Sequence, residues 1–289
     1  MPAPHFVERP AELLAFLFSA HPAVKKTTVR QWLKHGSVEV NGQSVTRFNH
    51  PLQPGDKVSI RAKRESFAEG QFPAGMKIWF EDASLIVIEK PEGLLSMASE
   101  TERLQTAYAF LTDYVRRGNP RSLERVWIVH RLDRETSGLM VFAKSESAKR
   151  ALQLQWDQAD KRYLAVVEGR PPADHGVLKS HLDESRPYKV YSAPPSEQTR
   201  HAVTNYRVIK QTAAGALIEL NPETGRRNQI RVHLADARCP IVGDHKYGAR
   251  TDPAQRLALH ASALQFPHPT SGERLEFQSP LPHELAGLV

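Results

Sequence analysis

At 289 residues the chain can hold one large domain with a small one, or two of middle size. Hydrophobic and charged shares of 40% and 25% are those of a globular protein, and neither a run of eighteen apolar residues nor an apolar N-terminal leader points to a membrane span or to export. Cys239 is the lone cysteine, so no internal disulfide is expected and a reducing compartment, the cytoplasm by default, fits best. The net charge of +7 is unevenly spread. Residues 1–65 carry ten Lys/Arg against five Asp/Glu, and the remaining 224 carry 29 against 27. A basic N-terminal piece on a near-neutral body suggests an appendage that grips a polyanion.

In that piece, Pro10 followed by Glu12, Leu13, Leu14, Phe16 and Leu17 predicts a short helix with proline in its first turn. Thr27 and Thr28 offer N-caps for a second helix, Val29 to His35, closed by Gly36. Arg30 and Lys34, four apart, share one face of it. Val38 and Val40 alternate into Asn41-Gly42, a tight-turn signal, and Val58 and Ile60 alternate again after Pro54-Gly55-Asp56. Two small helices, a hairpin and a further strand in this order resemble the S4 RNA-binding domain. The resemblance implies that Lys25, Lys26, Arg30 and Lys34 face phosphates, contacts that position RNA without reading its sequence. Ser66 to Gly75, with two glycines, a proline and no period, reads as a linker. The expected domains are therefore 1–65, a linker at 66–75, and 76–289.

The body opens with apolar runs, Ile78 to Phe80 and Leu85 to Ile88, that predict two strands around a turn. Lys90-Pro91-Glu92-Gly93 ends the second, with proline fixing the backbone and glycine permitting a bend. Thr106 to Arg117 has helical spacing through Ala107, Phe110, Leu111 and Tyr114. Trp127 to Val129 and Leu139 to Phe142 then predict two short buried strands holding a polar loop, His130 to Gly138, rigidly between them. Asp133 stands there between Arg131 and Arg134, where rigid placement suits a catalytic carboxylate and an ordinary structural ion pair is the plainer alternative.

His130, Arg131, Leu132, Asp133, Thr136, Ser137 and Gly138 resemble the signature loop of RNA pseudouridine synthases of the RluA family. The K-P-x-G motif ahead of the loop agrees. Downstream, Ser145 caps a helix to about Asp157. The strand Lys161 to Gly169 follows, with the K-x-Y-x-A-x-V-x-G pattern of the same family. Pro171 to His201, polar and without period, reads as a surface excursion with a short strand at Tyr188 to Tyr191. Val203 to Ile209 and Ala216 to Leu220 pair as strands, and Gln229 to Ala237 is a helix. Thr224 to Leu234 is similar to the family's T-G-R-x-H-Q-I-R-x-H-L segment, with Asn228 where histidine is usual.

The resemblance implies a uridine-to-pseudouridine isomerase acting on ribosomal or transfer RNA. Its fold would be α+β, a mixed and largely antiparallel sheet preceded by the small S4-like α/β domain. Asp133 would be the catalytic residue, as nucleophile at the sugar or as the base that starts elimination. Arg231 would pair with it, and Tyr163 would stack on the base and help remove the C5 proton. Arg131 would assist extrusion of the nucleotide, a step required because the target atoms are unreachable inside a helix. Ile230, Arg226 and Asn228 would complete the substrate contacts, the last in altered form.

No metal site is expected, because no H-x-x-x-H pair with a nearby carboxylate stands out and Cys239 stands alone. Without a Walker loop or G-x-G-x-x-G no nucleotide cofactor is implied, and the isomerisation needs none. RNA is the expected partner and a monomer the expected state. Two rivals are a non-catalytic RNA-binding or assembly factor on the same fold, and a hydrolase using Asp133 with Glu135. The second would need its carboxylates about 5–9 Å apart across a sugar.

Overall fold

The computed structural model describes residues 4–22, 24, 26–34, 38–45, 47–60, 72–99, 102–116, 122–212 and 215–289. The chain divides into two compact units, Met1–Glu69 and Gly70–Val289. The outer part of the expected linker, with Lys25, His35 and Gly36, lies outside the described residues, as does the side chain of Lys34. Phe72, from the linker's end, belongs to the second unit, where its ring centroid is 5.7 Å from that of Tyr114.

The first unit comprises β1 (His5–Phe6), β2 (Ala11–Glu12), α1 (Leu13–Ala20), α2 (Lys26–Lys34), β3 (Val38–Val40), β4 (Gln43–Ser44), β5 (Pro51–Leu52) and β6 (Lys57–Ile60). Its sheet runs β1-β6-β3-β4, and β2 pairs separately with β5. Leu13, Leu17, Val29 and Leu33 from the helices and Val38, Val40 and Val58 from the strands make its core. Two boundaries differ from expectation. Ala11 and Glu12 find strand partners in Leu52 and Pro51, so Pro10 precedes the helix by a bridge instead of sitting in its first turn. Thr27 and Thr28 lie inside α2, whose register is set by the buried pair Val29 and Leu33. Asn41, at φ 52, makes the expected turn with Gly42. Its side-chain amide donates to Asp56 and its carbonyl accepts from the Lys57 backbone, which ties the turn to β6.

Among the described residues the second unit is one eleven-stranded sheet with helices packed against it. Its elements are β7 (Lys77–Glu81), β8 (Leu85–Lys90), α3 (Ala107–Val115), β9 (Trp127–Ile128), β10 (Ser137–Ala143), α4 (Glu146–Leu154), β11 (Asp160–Glu168), β12 (His175–Asp183), β13 (Tyr191–Ala193), β14 (Thr199–Gln211), β15 (Gly215–Pro222), α5 (Gln229–Asp236), β16 (Leu259–Pro267), β17 (Arg274–Gln278) and α6 (His283–Ala286). The order is β13-β12-β14-β15-β11-β16-β10-β8-β7, with β9 added to β10 and β17 to β16. All pairings between its described strands are antiparallel except β10 with β16, so the sheet is mixed and largely antiparallel, as expected.

β10 is buried along its whole length because both of its faces are covered. Met140 and Phe142 pack with Ala107 and Leu111 of α3, and Leu139 and Val141 with Ala148 and Leu152 of α4. That double burial explains the unbroken apolar run in its sequence. At the start of β10, Gly138 has φ +117, and a Cβ there would lie 2.3 Å from the Ala261 carbonyl oxygen. Only glycine lets the signature loop enter the sheet against β16.

The excursion between Pro171 and His201 is more ordered than its sequence suggests. It holds the nine-residue β12, then β13, which begins at Tyr191 where the expected strand ends, and the start of β14. Along β12 exposed His175, Val177 and Lys179 alternate with half-buried neighbours, so no apolar alternation marks the strand. Ladder hydrogen bonds to β14 hold it instead.

Three histidines are enclosed in this unit. His130 accepts from the Val141 N–H and stacks on Trp156, His233 lies between Thr204 and Ser180, and His260 between Ser137 and Ser279. Burial, the dominant cause in each, pulls His130 down to about 3 and both His233 and His260 to about 4. The folded protein therefore refuses a proton that the unfolded chain takes below about 6.5, so stability is full above that value and falls as pH drops toward 4. Each histidine should cost about 1.4 kcal/mol per pH unit in that window. Urea denaturation at about pH 7 and about pH 5 should show this fall, and His260→Gln should reduce its slope; equal stability at both values would contradict it.

Candidate active site

The loop between β9 and β10 is stapled to the residues after β8. Leu132 N–H donates to Ser96 Oγ, and Ser96 Oγ–H donates to Leu132 O. Gly93 N–H donates to Arg134 O, and Arg134 Nε returns a bond to Gly93 O. Lys90, fully buried, points its ammonium at the carbonyls of Pro91, Leu94 and Arg134 at 2.8, 2.8 and 3.2 Å. Burial pulls this lysine down to about 7 against the opposing charges of Asp133, Glu92 and Glu135. Three acceptors matching its three hydrogens make it the pin under the loop. The K-P-E-G motif is thus architectural.

Held this way, Asp133 stands at a cleft of about 480 Å³ lined by Arg131, Thr136, Tyr163, Arg226, Ile230 and Arg231, among others. Arg231 projects from the first turn of α5, with its side chain 5% exposed, onto a group not anticipated from the sequence. Its Nε and Nη2 grip both oxygens of Asp244 at 2.8 Å each. Nη1 then lies 3.1 Å from Glu135 and 3.8 Å from Asp133. Burial alone would lower the Arg231 pKa, but the hydrogen bonds and charge of Asp244, aided by Asp133 and Glu135, carry it above its ordinary value. The expected Arg231–Asp133 pair is present only as the looser arm of a three-carboxylate cluster.

The short contact on Asp133 comes from Asn228, whose amide Nδ2 donates to Oδ2 at 2.6 Å. Asn228 adopts φ 51 and ψ 19 at the N-cap of α5. Asn, Asp and His enter this left-handed region more readily than other side chains, so the backbone accepts asparagine where histidine is usual. The amide oxygen accepts from Lys246 Nζ at 3.0 Å and from the Tyr247 hydroxyl at 3.1 Å. Tyr247 also carries the Lys189, Arg231 and Lys246 cations over its ring.

Tyr163 and Ile230 supply the apolar lining. Tyr163 lies on β11 and packs against both core clusters that flank the cleft, and Ile230 is 7% exposed. Burial raises the Tyr163 pKa, and the charge of Asp133 raises it further, so the phenol stays protonated near neutrality. Gln229 fixes the preceding turn, with its carbonyl accepting from Thr224 and from Arg226 N–H, while its amide donates to Val203 O and Thr204. At the rim Arg131 is exposed, Arg226 Nε bonds His201 O, and Arg227 bonds the carbonyls of Glu184 and Pro187.

The structure brings Asp133, Arg231, Asn228, Tyr163, Ile230, Arg131 and Arg226 to one cleft. In the other unit, Lys26 and Arg30 are exposed on α2 with their cations over the Phe18 ring. The sequence alone assigns Asp244, Lys246 and Tyr247 no role, although the segment Pro240 to Gly248 that holds them agrees with the family. They sit in a tight segment whose signal was the Gly243 to Gly248 bracket: Gly243 has φ +80 and room for no Cβ against Arg256 O, and Gly248 has φ +99. Among the described residues no group of three His, Cys, Asp or Glu could hold a metal ion, and no helix is long and apolar enough to cross a membrane.

A carboxylate in a cleft with cations on its rim, on a mixed sheet that follows a small basic unit, is the arrangement of an enzyme for a polyanionic substrate. Comparison with known proteins makes that class specific. The RNA pseudouridylate synthase family matches residues 84–236, and the S4 domain matches residues 13–58. An uncharacterised RNA pseudouridine synthase of Bacillus subtilis is 34% identical over 95% of this chain and 91% of its own. A ribosomal large subunit pseudouridine synthase D of Neisseria meningitidis is 33% identical over 95% of this chain and 77% of its own. In structure, human RNA pseudouridylate synthase domain containing 4 matches with a TM-score of 0.60 and 29% identity, covering 72% of this chain and 90% of that one. The chain belongs to the RNA pseudouridine synthase family and carries an S4 domain ahead of its catalytic body.

Removing one partner of a buried ion pair strands the other charge. Asp244→Asn should therefore lower stability by about 3–5 kcal/mol. Glu135→Gln, at a side chain 51% exposed, should change it by less than about 1 kcal/mol. Chemical denaturation of the two variants side by side checks this, and equal effects would contradict the ranking.

Proposed function

We propose that the enzyme converts uridine to pseudouridine in large-subunit ribosomal RNA, with Asp133 as the residue that acts on the nucleotide. The observation that carries the reading is the ionic and hydrogen-bonded seat of Asp133: a carboxylate 3.8 Å from Arg231 and 2.6 Å from the Asn228 amide, at the cleft lined by Tyr163 and Ile230. The reaction breaks the C1′–N1 bond, turns the uracil, joins C1′ to C5, releases the C5 proton and leaves a proton on N1. It is redox-neutral and adds no water.

Each lining group has a task in that sequence. Tyr163 and Ile230 give an extruded uracil an aromatic and an aliphatic surface in place of its lost stack. Since the Tyr163 phenol is protonated, it serves first as that surface, and it could take the C5 proton only after passing on its own. Arg131, exposed at the rim, contacts phosphate or fills the vacated stack, while Arg226 meets the backbone. Lys26 and Arg30 of the S4 domain add sequence-independent affinity. A hydrolytic reading fares worse, because Asp133 and Glu135 both lean on the same Arg231 nitrogen instead of facing each other across a sugar. Ribosomal RNA is preferred over transfer RNA because relatives 33% identical carry that substrate in their names.

The test is tritium release from unmodified RNA labelled at uridine C5. Wild type should release label from ribosomal RNA, and Asp133→Asn should lose at least about 10³-fold in rate while binding RNA within about threefold of wild type. Release by the variant at the wild-type rate would overturn the assignment of Asp133. Release from transfer RNA alone would overturn that of the substrate.

A further inference from the structure

We propose that Asn228 is a positioning residue for Asp133 rather than a substrate contact, locked in that task by Lys246 and Tyr247; the proposal rests on the synthase reading above. Asn228 is 8% exposed, and its polar atoms are already committed. Its Oδ1 accepts from Lys246 Nζ and from the Tyr247 hydroxyl. The Val190 N–H donates to that same hydroxyl at 3.2 Å, which leaves the phenolic hydrogen free to point at Asn228.

An ammonium has hydrogens and no lone pair, so the amide must turn its oxygen toward Lys246. Its nitrogen then faces Asp133 and donates to Oδ2. The flipped amide would set its NH2 against the ammonium and its oxygen against a carboxylate, placing like partners together on both sides. The chain Val190, Tyr247, Asn228, Asp133 therefore has a single direction. Both lone pairs of the amide oxygen are used, and the nitrogen serves the carboxylate.

Arg231 cannot do this work, since two of its nitrogens are spent on Asp244 and the third stands 3.8 Å from Asp133. It supplies charge, whereas Asn228 supplies direction. Both named partners of Asp133 meet Oδ2. Among the described residues no hydrogen bond engages Oδ1, so Oδ1 is the oxygen left to meet the substrate.

The experiment is steady-state kinetics of pseudouridine formation for wild type, Asn228→Ala, Asn228→His, Lys246→Met and Asn228→Ala/Lys246→Met, with RNA affinity and thermal unfolding on each. Asn228→Ala should lose about 10- to 100-fold in kcat with KM and RNA affinity within about threefold. Asn228→His, which returns an N–H to the same place, should recover most of the loss. Lys246→Met should lose less than Asn228→Ala, and the double variant should fall no further than Asn228→Ala alone, because the lysine acts through the amide. A rise in KM at constant kcat would make Asn228 a substrate contact and overturn the proposal. Wild-type kcat in Asn228→Ala would overturn it with the synthase reading intact. Loss of kcat that tracks loss of Tm and is not rescued by histidine would mark a structural role and overturn it too. An inactive wild type would remove the reading on which it rests.

Discussion

The buried pair of Arg231 and Asp244 is the constraint around which the cleft is arranged. Taking an arginine and an aspartate out of water is costly, and only excellent geometry offsets it. Here the geometry is bidentate, with both bonds at 2.8 Å and both side chains nearly sealed. The pair fixes the first turn of α5 against the segment that holds Lys246 and Tyr247. It also leaves one guanidinium nitrogen directed at the signature loop, where Glu135 and Asp133 converge. A cation permanently present at that point sets the electrostatics of the cleft at any working pH.

What the pair does from one side, the sheet does from the other. The signature loop enters β10 at Gly138, where the absence of a side chain allows the one parallel join among the described strands. Arg256 donates to Ser137 Oγ at 2.6 Å, Ser137 meets His260 Nδ1, and His260 Nε2 meets Ser279, so a hydrogen-bonded line continues from the loop into β16. Lys90 holds the loop's middle and Ser96 its start. The proposed role of Asp133 requires such over-determination, since small displacements at a reacting atom cost large factors in rate.

Much of this was legible in the sequence for physical reasons. The run Leu139 to Phe142 declared a strand because both its faces are buried, and Ser145 declared a helix start because its side chain caps it, accepting from Ala148 N–H. Asn41-Gly42 declared a turn because asparagine and glycine are among the residues that enter positive φ cheaply. Asp133, Tyr163, Arg231 and Ile230 were found through their motifs, and they do meet in one cleft. What escaped was what depends on distant partners. Asp244 gives no local sign that it will take both Arg231 hydrogen bonds, because the partner is thirteen residues away on another element. β12 escaped because it lies near the sheet's end, with one face open to solvent and the other half-buried except at Leu182, so no apolar alternation marks it. Asn228 was noticed as a departure from the family pattern, but its use follows from Lys246 and Tyr247, whose positions only the fold supplies.

The cleft around Asp133 is proposed to rearrange a uridine without adding water to it. The most direct measurement is nucleoside analysis by liquid chromatography and mass spectrometry after incubating unmodified ribosomal RNA with the enzyme. Pseudouridine should appear as uridine disappears, one for one, with no free uracil and with nothing formed by Asp133→Asn. Free uracil and abasic sites would contradict it by making the enzyme a hydrolase. Unchanged uridine in both ribosomal and transfer RNA would contradict the claim of catalysis altogether.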